Sequence, residues 1–156
     1  CRDWEREASA ATKLGVRVVH MRMGLLLAPG GGALARMKTP FKLFAGGKIG
    51  SGKQWVSWIH RDDAIAAYLA ALTDARYTGA INLVTESTRN ADFSAALGHA
   101  LHRPSWLPVP AFALKAAVGE LAEALLQGRR VVPARLRELG FTWKHPELGE
   151  ALASTR

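Results

Sequence analysis

The hydrophobic pattern at the start of the chain predicts a helix followed by a buried strand. From Asp3 to Leu14, apolar side chains recur at spacings of three or four residues, which is typical of an amphipathic helix. Gly15 follows at the position where many helices end in the left-handed conformation. The run Val16–Met21 is rich in β-branched residues and predicts a largely buried strand, which Arg22–Leu27 continues into a loop.

The alternation of patterns continues through the middle of the chain. The elements predicted there are helix Ala33–Phe44, strand Trp55–Ile59, helix Ala64–Thr73, strand Ala80–Val84 and helix Ala91–Leu101. We expect Pro40 to interrupt the first of these helices, because proline disfavours the α conformation in the residue before it. Asp62 or Asp63 is the expected N-cap of the second helix and Asn90 that of the third, since these side chains accept hydrogen bonds from free backbone N–H groups.

The composition changes at Pro108–Pro110, and the pattern beyond is mainly helical. The helical segments predicted there are Phe112–Leu126, Pro133–Leu139 and Glu147–Ala153. Strands that alternate with helices indicate an α/β fold with a doubly wound parallel sheet, followed here by a small, mainly helical subdomain. Three short strands make a thin sheet for this many helices, so we expect the chain to be part of a larger domain.

The composition is that of a globular domain and excludes several classes. Hydrophobic residues make up 49% of the chain and charged residues 22%, which is not the composition of a disordered segment. The apolar stretches fall far short of the roughly 20 residues that span a bilayer, so we expect no membrane partner. Cys1 is the only cysteine, which excludes an internal disulfide and favours the cytoplasm. The first residue is not methionine, so we expect an N-terminal portion to be missing.

Positive charge is concentrated in the first part of the chain. The net charge is +8 at pH 7, and no acidic residue occurs between Glu7 and Asp62. A field of one sign attracts anions, so a small anionic substrate and a nucleic acid are both candidate partners. A basic surface without a specific partner is an equally weighted alternative.

The glycine-rich and histidine-containing segments do not match the common site motifs. Gly46–Lys53 lacks both the G-x-G-x-x-G and the Walker spacing, and Gly30–Gly32 favours a flexible turn. The five histidines lack metal-ligand spacing, so no metal site is predicted. Ser57, His60 and Asp63 suggest a hydrolytic triad, but no G-x-S-x-G elbow accompanies them, and hydrolysis is not favoured.

An ordered set of segments resembles a known family. Gly50–Ala64 is similar to the G-D-G-x-Q-x-R-D-F-I-H-V-D-D segment of the extended short-chain dehydrogenase/reductase family (NAD-dependent epimerase/dehydratase). Arg17–Gly24 looks like the sixth strand of that family's sheet, and Gly79–Leu83 looks like its later G-x-x-Y/F-N-V/L strand. Gly31–Leu34 and residues 102–141 are similar to the nucleoside-diphosphate-sugar epimerase-like branch, which carries a C-terminal domain of unknown function.

The resemblance implies a domain organisation and an incomplete active site. Residues 1–103 would be the C-terminal part of a Rossmann-like NAD(P)-binding domain, and residues 104–156 a small helical domain. The family binds its cofactor through a glycine-rich turn and reacts through a Tyr-x-x-x-Lys pair, and neither is found here. Tyr68 and Tyr77 are not followed by a lysine four residues on. The chain is therefore expected to be inert alone, with no catalytic residue of its own.

The resemblance also implies which residues face the ligands. The cofactor-side candidates are Met23, Gly24, Leu25 and Leu26, with NADP slightly favoured over NAD and most of the cofactor bound outside this chain. The substrate-side candidates are Arg36, Lys48, Lys53, Gln54 and Val56. Sugar-nucleotide enzymes of the family usually carry an arginine at the position of Val56, so the sugar-nucleotide substrate is in doubt. His60 and Asp63 match the family's histidine and second aspartate, and capping of the strand-to-helix corner is favoured over chemistry for both.

These observations lead to one main hypothesis and two alternatives. The main hypothesis is the C-terminal part of an NAD(P)-dependent epimerase or oxidoreductase that contributes the substrate-side wall. A basic nucleic-acid or anionic-surface binding module is the first alternative, suggested by tryptophans near basic residues, although Trp58 alternates with Val56 as core residues do. An assembly role for the tail from Pro104 is the second. The expected protein partner is the missing N-terminal half, or a second copy paired through the edge of Val16–Met21.

Overall fold

A computed structural model describes residues 2–110 and 128–156 of the chain. Its helices are α1 (Arg2–Ser9), α2 (Gly32–Lys42), α3 (Arg61–Thr73), α4 (Asn90–Leu101), α5 (Ala134–Glu138) and α6 (Leu148–Ala153), and a 3₁₀ helix (Ala10–Leu14) continues α1. Its strands are β1 (Val19–Met23), β2 (Leu25–Leu27), β3 (Trp55–His60), β4 (Gly79–Leu83) and β5 (Glu86–Arg89). The predicted α/β class is confirmed, and the predicted helix Phe112–Leu126 lies outside the described residues. None of the described helices is long and apolar enough to cross a lipid bilayer.

The strands form two small sheets that meet at Gly24. Strand β1 pairs with β4 in parallel, whereas β3 pairs with β2 in parallel and with β5 in antiparallel orientation. Gly24 connects β1 to β2, and its N–H donates to the Leu83 carbonyl at 3.0 Å. A Cβ at Gly24 would lie 2.6 Å from the Ser57 carbonyl oxygen, so this approach of the chain to β3 requires glycine. The tract from Arg22 to Leu27, predicted to enter a loop, therefore carries the end of one strand and a second strand.

Two hydrophobic clusters lie against these sheets. The first packs α2, α4 and α6 against β2 and β3, and Trp58 and Phe93 are its largest fully buried members. The second packs the alanine face of α3, together with α5, against β1 and β4. Helices from the C-terminal segment thus contribute to both clusters, and the domain boundary after residue 103 stays a prediction.

Helix α2 differs from its prediction because proline is tolerated near its end. The helix runs without interruption through Pro40 to Lys42. The Pro40 carbonyl accepts hydrogen bonds from the N–H groups of Leu43 and Ala45, at 3.2 and 2.9 Å, which close the last turn. The missing proline N–H removes one bond of the helix, and only two residues follow it, so no kinked segment has to be supported.

The N-caps predicted at Asp62 or Asp63 and at Asn90 are wrong. Helix α3 begins at Arg61, and its cap is His60, whose Nδ1 accepts a hydrogen bond from the Asp62 N–H at 3.2 Å. Asn90 is the first residue of α4, and its Oδ1 accepts from the Ile49 N–H at 2.7 Å. A side chain that resembles a local cap thus makes a contact 41 residues away in the sequence.

Hydrogen bonds that involve three buried side chains fasten residues 144–155 to the rest of the fold. The buried Asp63 carboxylate accepts from the backbone N–H groups of Lys144 and His145, at 2.6 and 3.1 Å. The buried Lys38 ammonium donates to the carbonyl and hydroxyl oxygens of Thr155, at 2.5 and 3.1 Å. His60 Nε2 lies 3.1 Å from the Ser154 hydroxyl. Each contact satisfies a polar group that would otherwise be costly to bury.

Two surfaces of the described residues expose apolar side chains. Strand β1 pairs on one side only, with β4, and Trp4 on the neighbouring helix α1 is 79% exposed. Helix α3 directs alanines into the core and larger apolar side chains outward. The outward set is Ile65, Tyr68, Leu69 and Leu72, which follow helical spacing and are 42–73% exposed. Because a helix that is apolar on all sides is normally covered, these two surfaces are candidates for contact with another polypeptide.

We expect Asp63→Asn to destabilise the fold by about 2–3 kcal/mol, because one charge-assisted acceptor is lost and an amide N–H₂ then opposes a backbone N–H. Chemical denaturation of the purified chain measures this change. Asp62→Asn is the matched control, and since Asp62 is partly exposed and paired with Arg61, its loss should cost less than about 1 kcal/mol. Equal destabilisation by the two variants would contradict the structural role of Asp63.

Candidate functional site

An open cleft lies where the loop before β3 meets the start of α4. Its volume is about 340 Å³, within the range of small-molecule sites. The lining residues are Ser51, Gly52, Lys53, Arg89, Ala91 and Asp92. The cleft thus combines two cations, one carboxylate and one hydroxyl group around a glycine.

A set of hydrogen bonds fixes the loop that forms one wall of the cleft. Gln54 Nε2 donates to the Ile49 carbonyl at 2.9 Å, opposite the bond from Ile49 N–H to Asn90. The backbone N–H groups of Asn90 and Ala91 donate to the carbonyls of Gln54 and Gly52, at 2.8 and 3.0 Å. Gly52 has a φ of +71°, which glycine adopts without strain. The loop is therefore held against the start of α4 before any ligand binds.

Arg89 is positioned by the antiparallel pair β3–β5. Register places it opposite Trp55, and its guanidinium carbon lies 3.6 Å from the centroid of a ring of that side chain. Its Nη1 donates to the Lys53 carbonyl. Arg130 approaches the same ring at 5.2 Å. Arg89 is not among the site residues predicted from the sequence, because strand β5 is not predicted there. The only sequence signal for it is an arginine directly before a predicted helix start.

The structure brings one of the five substrate-side candidates to the cleft. Lys53 lines it, whereas Lys48 is exposed on the same loop and Gln54 is buried with its amide engaged. Val56 is half-buried in the first cluster opposite Thr88, and Arg36 is exposed on α2. These four do not line the cleft, and ligand contact by any of the five stays a prediction.

The four cofactor-side candidates lie at the junction of the two sheets. Met23 ends β1 and is 45% exposed, and Gly24 crosses to the second sheet. Leu25 and Leu26 are half-buried and pair with Trp58 and Ile59 of β3. The four are consecutive at the carboxyl end of a parallel strand, which is where open α/β sheets bind ligands. Their contact with a cofactor stays a prediction.

The corner between β3 and α3 holds two histidines in close contact. The ring centroids of His60 and His145 are 3.9 Å apart, and the rings are tilted by 46°. Burial, and then the nearby His145, lower the pKa of His60 below its ordinary value. Asp62 completes a trio whose nitrogen and oxygen ligand atoms lie within 4.8 Å of one another.

The surroundings of this trio favour a structural junction over a metal centre. Both ring nitrogens of His60 are engaged, because Nδ1 accepts from the Asp62 N–H at the helix cap and Nε2 lies 3.1 Å from the Ser154 hydroxyl. Arg61 and Lys144 both approach the Asp62 carboxylate, at 3.1 and 3.8 Å, and would repel a cation. The capping role expected for His60 is confirmed, and that expected for Asp63 is replaced by its bonds to the C-terminal segment.

The hydrolytic triad considered from the sequence does not form. The Ser57 hydroxyl lies 2.7 Å from the Ser87 hydroxyl and donates to the Arg129 carbonyl, so it is engaged away from His60. The Asp63 carboxylate is taken up by two backbone N–H groups. Neither Trp55 nor Trp58 presents a free ring face for stacking on a base, because Trp58 is fully buried and Arg89 lies over the ring of Trp55.

Comparison with known proteins supports a Rossmann-like class. The model of a domain of unknown function, DUF1731, matches residues 109–155. A human epimerase family protein, SDR39U1 (isoform 2), solved with NADPH, superposes with a TM-score of 0.84 at 39% identity, over 90% of this chain and 48% of that one. A nucleoside-diphosphate sugar epimerase from Corynebacterium glutamicum gives a TM-score of 0.77 at 35% identity, over 99% of this chain and 29% of that one.

A curated relative narrows the class to a family. The chloroplastic SDR39U1 homologue of Arabidopsis thaliana, named an epimerase family protein, is 48% identical over 153 residues, which are 97% of this chain and 44% of that protein. The chain spans about half the length of the curated relatives that it matches. The resemblance found in the sequence is confirmed: this chain matches the C-terminal portion of epimerase family proteins with the short-chain dehydrogenase/reductase fold.

The lowered pKa of His60 predicts a loss of stability in mild acid. The unfolded chain takes up the proton more readily, so stability falls as the pH drops from above about 6.5 through the folded value. His60→Asn keeps a capping acceptor and removes the titrating ring, and should flatten this dependence. Denaturant titrations between about pH 7.5 and about pH 5 measure the slope.

His102→Asn is the matched control for this experiment. His102 is exposed at the end of α4 with a φ of 52°, a conformation that asparagine tolerates. This variant should keep the slope of the unmodified chain. An unchanged slope in His60→Asn would show that other groups cause the acid sensitivity.

Proposed function

We propose that this chain forms the substrate-side wall of an NAD(P)-dependent epimerase-like or oxidoreductase enzyme. The cleft beside Lys53 and Arg89 is the observation that carries the proposal, because it joins a hydrogen-bonded loop to two cations that form no ion pair within residues 2–110 and 128–156, in the fold of the epimerase family. The human relative was solved with NADPH, which favours NADP as the cofactor. The cytoplasm stays the proposed location, although one relative is named chloroplastic.

The residues at the sheet junction fit one end of the cofactor. Met23, Leu25 and Leu26 offer an apolar, partly exposed strand end, which suits the face of a nicotinamide ring. They offer no charged donor for a pyrophosphate. When bound, the cofactor supplies hydride transfer, and this chain would supply the apolar contact beside it. The polar contacts to the cofactor are assigned to a preceding half of the protein.

The substrate is proposed to be a small anion. Val56 offers no charge at the position where sugar-nucleotide enzymes usually carry an arginine, and its side chain packs in the first cluster. The epimerase names of the relatives therefore do not carry a sugar-nucleotide substrate to this chain. Binding of a UDP- or TDP-sugar by the complete protein would contradict this part of the proposal.

Calorimetric titration with NADPH tests the assignment of the cofactor. The chain alone should bind NADPH at best feebly and show no turnover, because it lacks the glycine-rich turn and the Tyr-x-x-x-Lys pair. A chimera that carries this chain in place of the matching region of the human relative should bind NADPH. Low-micromolar binding by the chain alone, or a folded chimera that does not bind, would overturn the proposal.

The free edge of β1 and the outward face of α3 are proposed to contact a preceding half of the protein. In its absence we expect the chain to self-associate, because an unpaired strand edge and exposed apolar surface both favour pairing. Sedimentation velocity with intact-mass analysis measures this. Met23→Lys should reduce association, since lysine blunts strand edges, whereas Leu43→Lys, on a residue 73% exposed after α2, should not. A monomer of 16.9 kDa at all concentrations would contradict this expectation.

A further inference from the structure

We propose that Arg89 and Lys53 bind the phosphate group of a small phosphate monoester, and that Asp92 accepts a hydrogen bond from a hydroxyl of the same ligand. The ligand class is thus a phosphorylated polyol. This inference rests on the proposed function, because it assigns the ligand of the cleft described above. Neither Arg89 nor Asp92 is among the site residues predicted from the sequence.

Arg89 is held in place before a ligand binds. Its guanidinium lies 3.6 Å from a ring centroid of Trp55, and one of its N–H groups donates to the Lys53 carbonyl. A guanidinium has five N–H donors in a planar fork, so the others stay free for a ligand oxygen. Fixing the fork in advance lowers the entropy lost when it binds a phosphate.

The charges of the cleft are unpaired within the described residues. Five other arginines of the described residues form ion pairs, such as Arg22 with Glu5 and Arg76 with Asp74 at 2.7 Å, whereas the remaining arginines, Arg89 among them, form none there. Neither Arg89 nor Lys53 has a carboxylate oxygen within 4.0 Å in residues 2–110 and 128–156, although Asp92 lines the same cleft. A phosphate monoester carries a charge of about −1.5 to −2 at neutral pH, which two cations match better than they match a single carboxylate.

Asp92 determines what must accompany the anion. A second anionic group beside its carboxylate would be repelled, whereas a hydroxyl group would donate a hydrogen bond to it. The Ser51 hydroxyl, which accepts from the Lys53 N–H at 3.3 Å, gives a further polar contact at the wall of the cleft. The volume of about 340 Å³ accommodates a phosphorylated sugar or polyol of a few carbons.

Calorimetric titration of this chain with ribose 5-phosphate tests the proposal, with ribose and inorganic phosphate as the comparison ligands. Ribose 5-phosphate should bind at least tenfold more tightly than either. Arg89→Gln and Lys53→Gln should each weaken it at least tenfold, and Arg89→Lys should weaken it less than Arg89→Gln. Lys13→Gln removes an exposed charge elsewhere and should change binding less than twofold.

Asp92→Asn separates the two halves of the proposed site. It should narrow the preference for ribose 5-phosphate over inorganic phosphate, with circular dichroism confirming that each variant is folded. Absence of binding, or binding unchanged in Arg89→Gln, would overturn the inference. Failure here combined with NADPH binding by the chimera would remove this ligand and leave the proposed function in place.

Discussion

The burial of the Asp63 carboxylate constrains most of what surrounds it. A carboxyl group with 1% of its residue's surface exposed requires hydrogen-bond partners, and it finds them in the backbone N–H groups of residues 144 and 145. That requirement draws the C-terminal segment onto the corner where β3 becomes α3. The same segment brings His145 into contact with His60 and packs α6 in the first cluster. The carboxyl end of β3 is thereby held fixed, and the loop of the cleft precedes the opposite end of the same strand.

The cleft shows how a basic loop becomes rigid without a recognised phosphate motif. The side chains of Asn90 and Gln54 bind the backbone N–H and carbonyl groups of Ile49, so the glycine-rich loop has little conformational freedom to lose when a ligand binds. The positive charge of Arg89 comes from a different strand and is held against an aromatic ring. Within the described residues neither Arg89 nor Lys53 forms an ion pair, so the open side of the cleft carries positive charge.

Much of the fold could be predicted from the sequence, but little of this cleft could, and the reasons are physical. Apolar β-branched runs announced β1, β3 and β4 because these strands are buried, with boundaries shifted by up to three residues at β1. Strand β5 was not predicted, because its residues are polar and it lies at the edge of its sheet. Asn90 looked like a helix cap because the residue type is ambiguous, and its distant partner is not visible in a local window. The segment of the family resemblance, Gly50–Ala64, contains the loop that forms one wall of the cleft, whereas pairing across β3 and β5 was needed to find Arg89.

The contact between Lys38 and Thr155 has a consequence for how the chain is made. The two residues are 117 positions apart in the sequence, and Lys38 is 8% exposed. Within the described residues, its ammonium group donates to oxygens of Thr155. During translation, α2 leaves the ribosome long before those acceptors exist. Its lysine must stay hydrated until then, so burial of that ammonium group beside the first cluster depends on a contact with a residue that is made much later in synthesis.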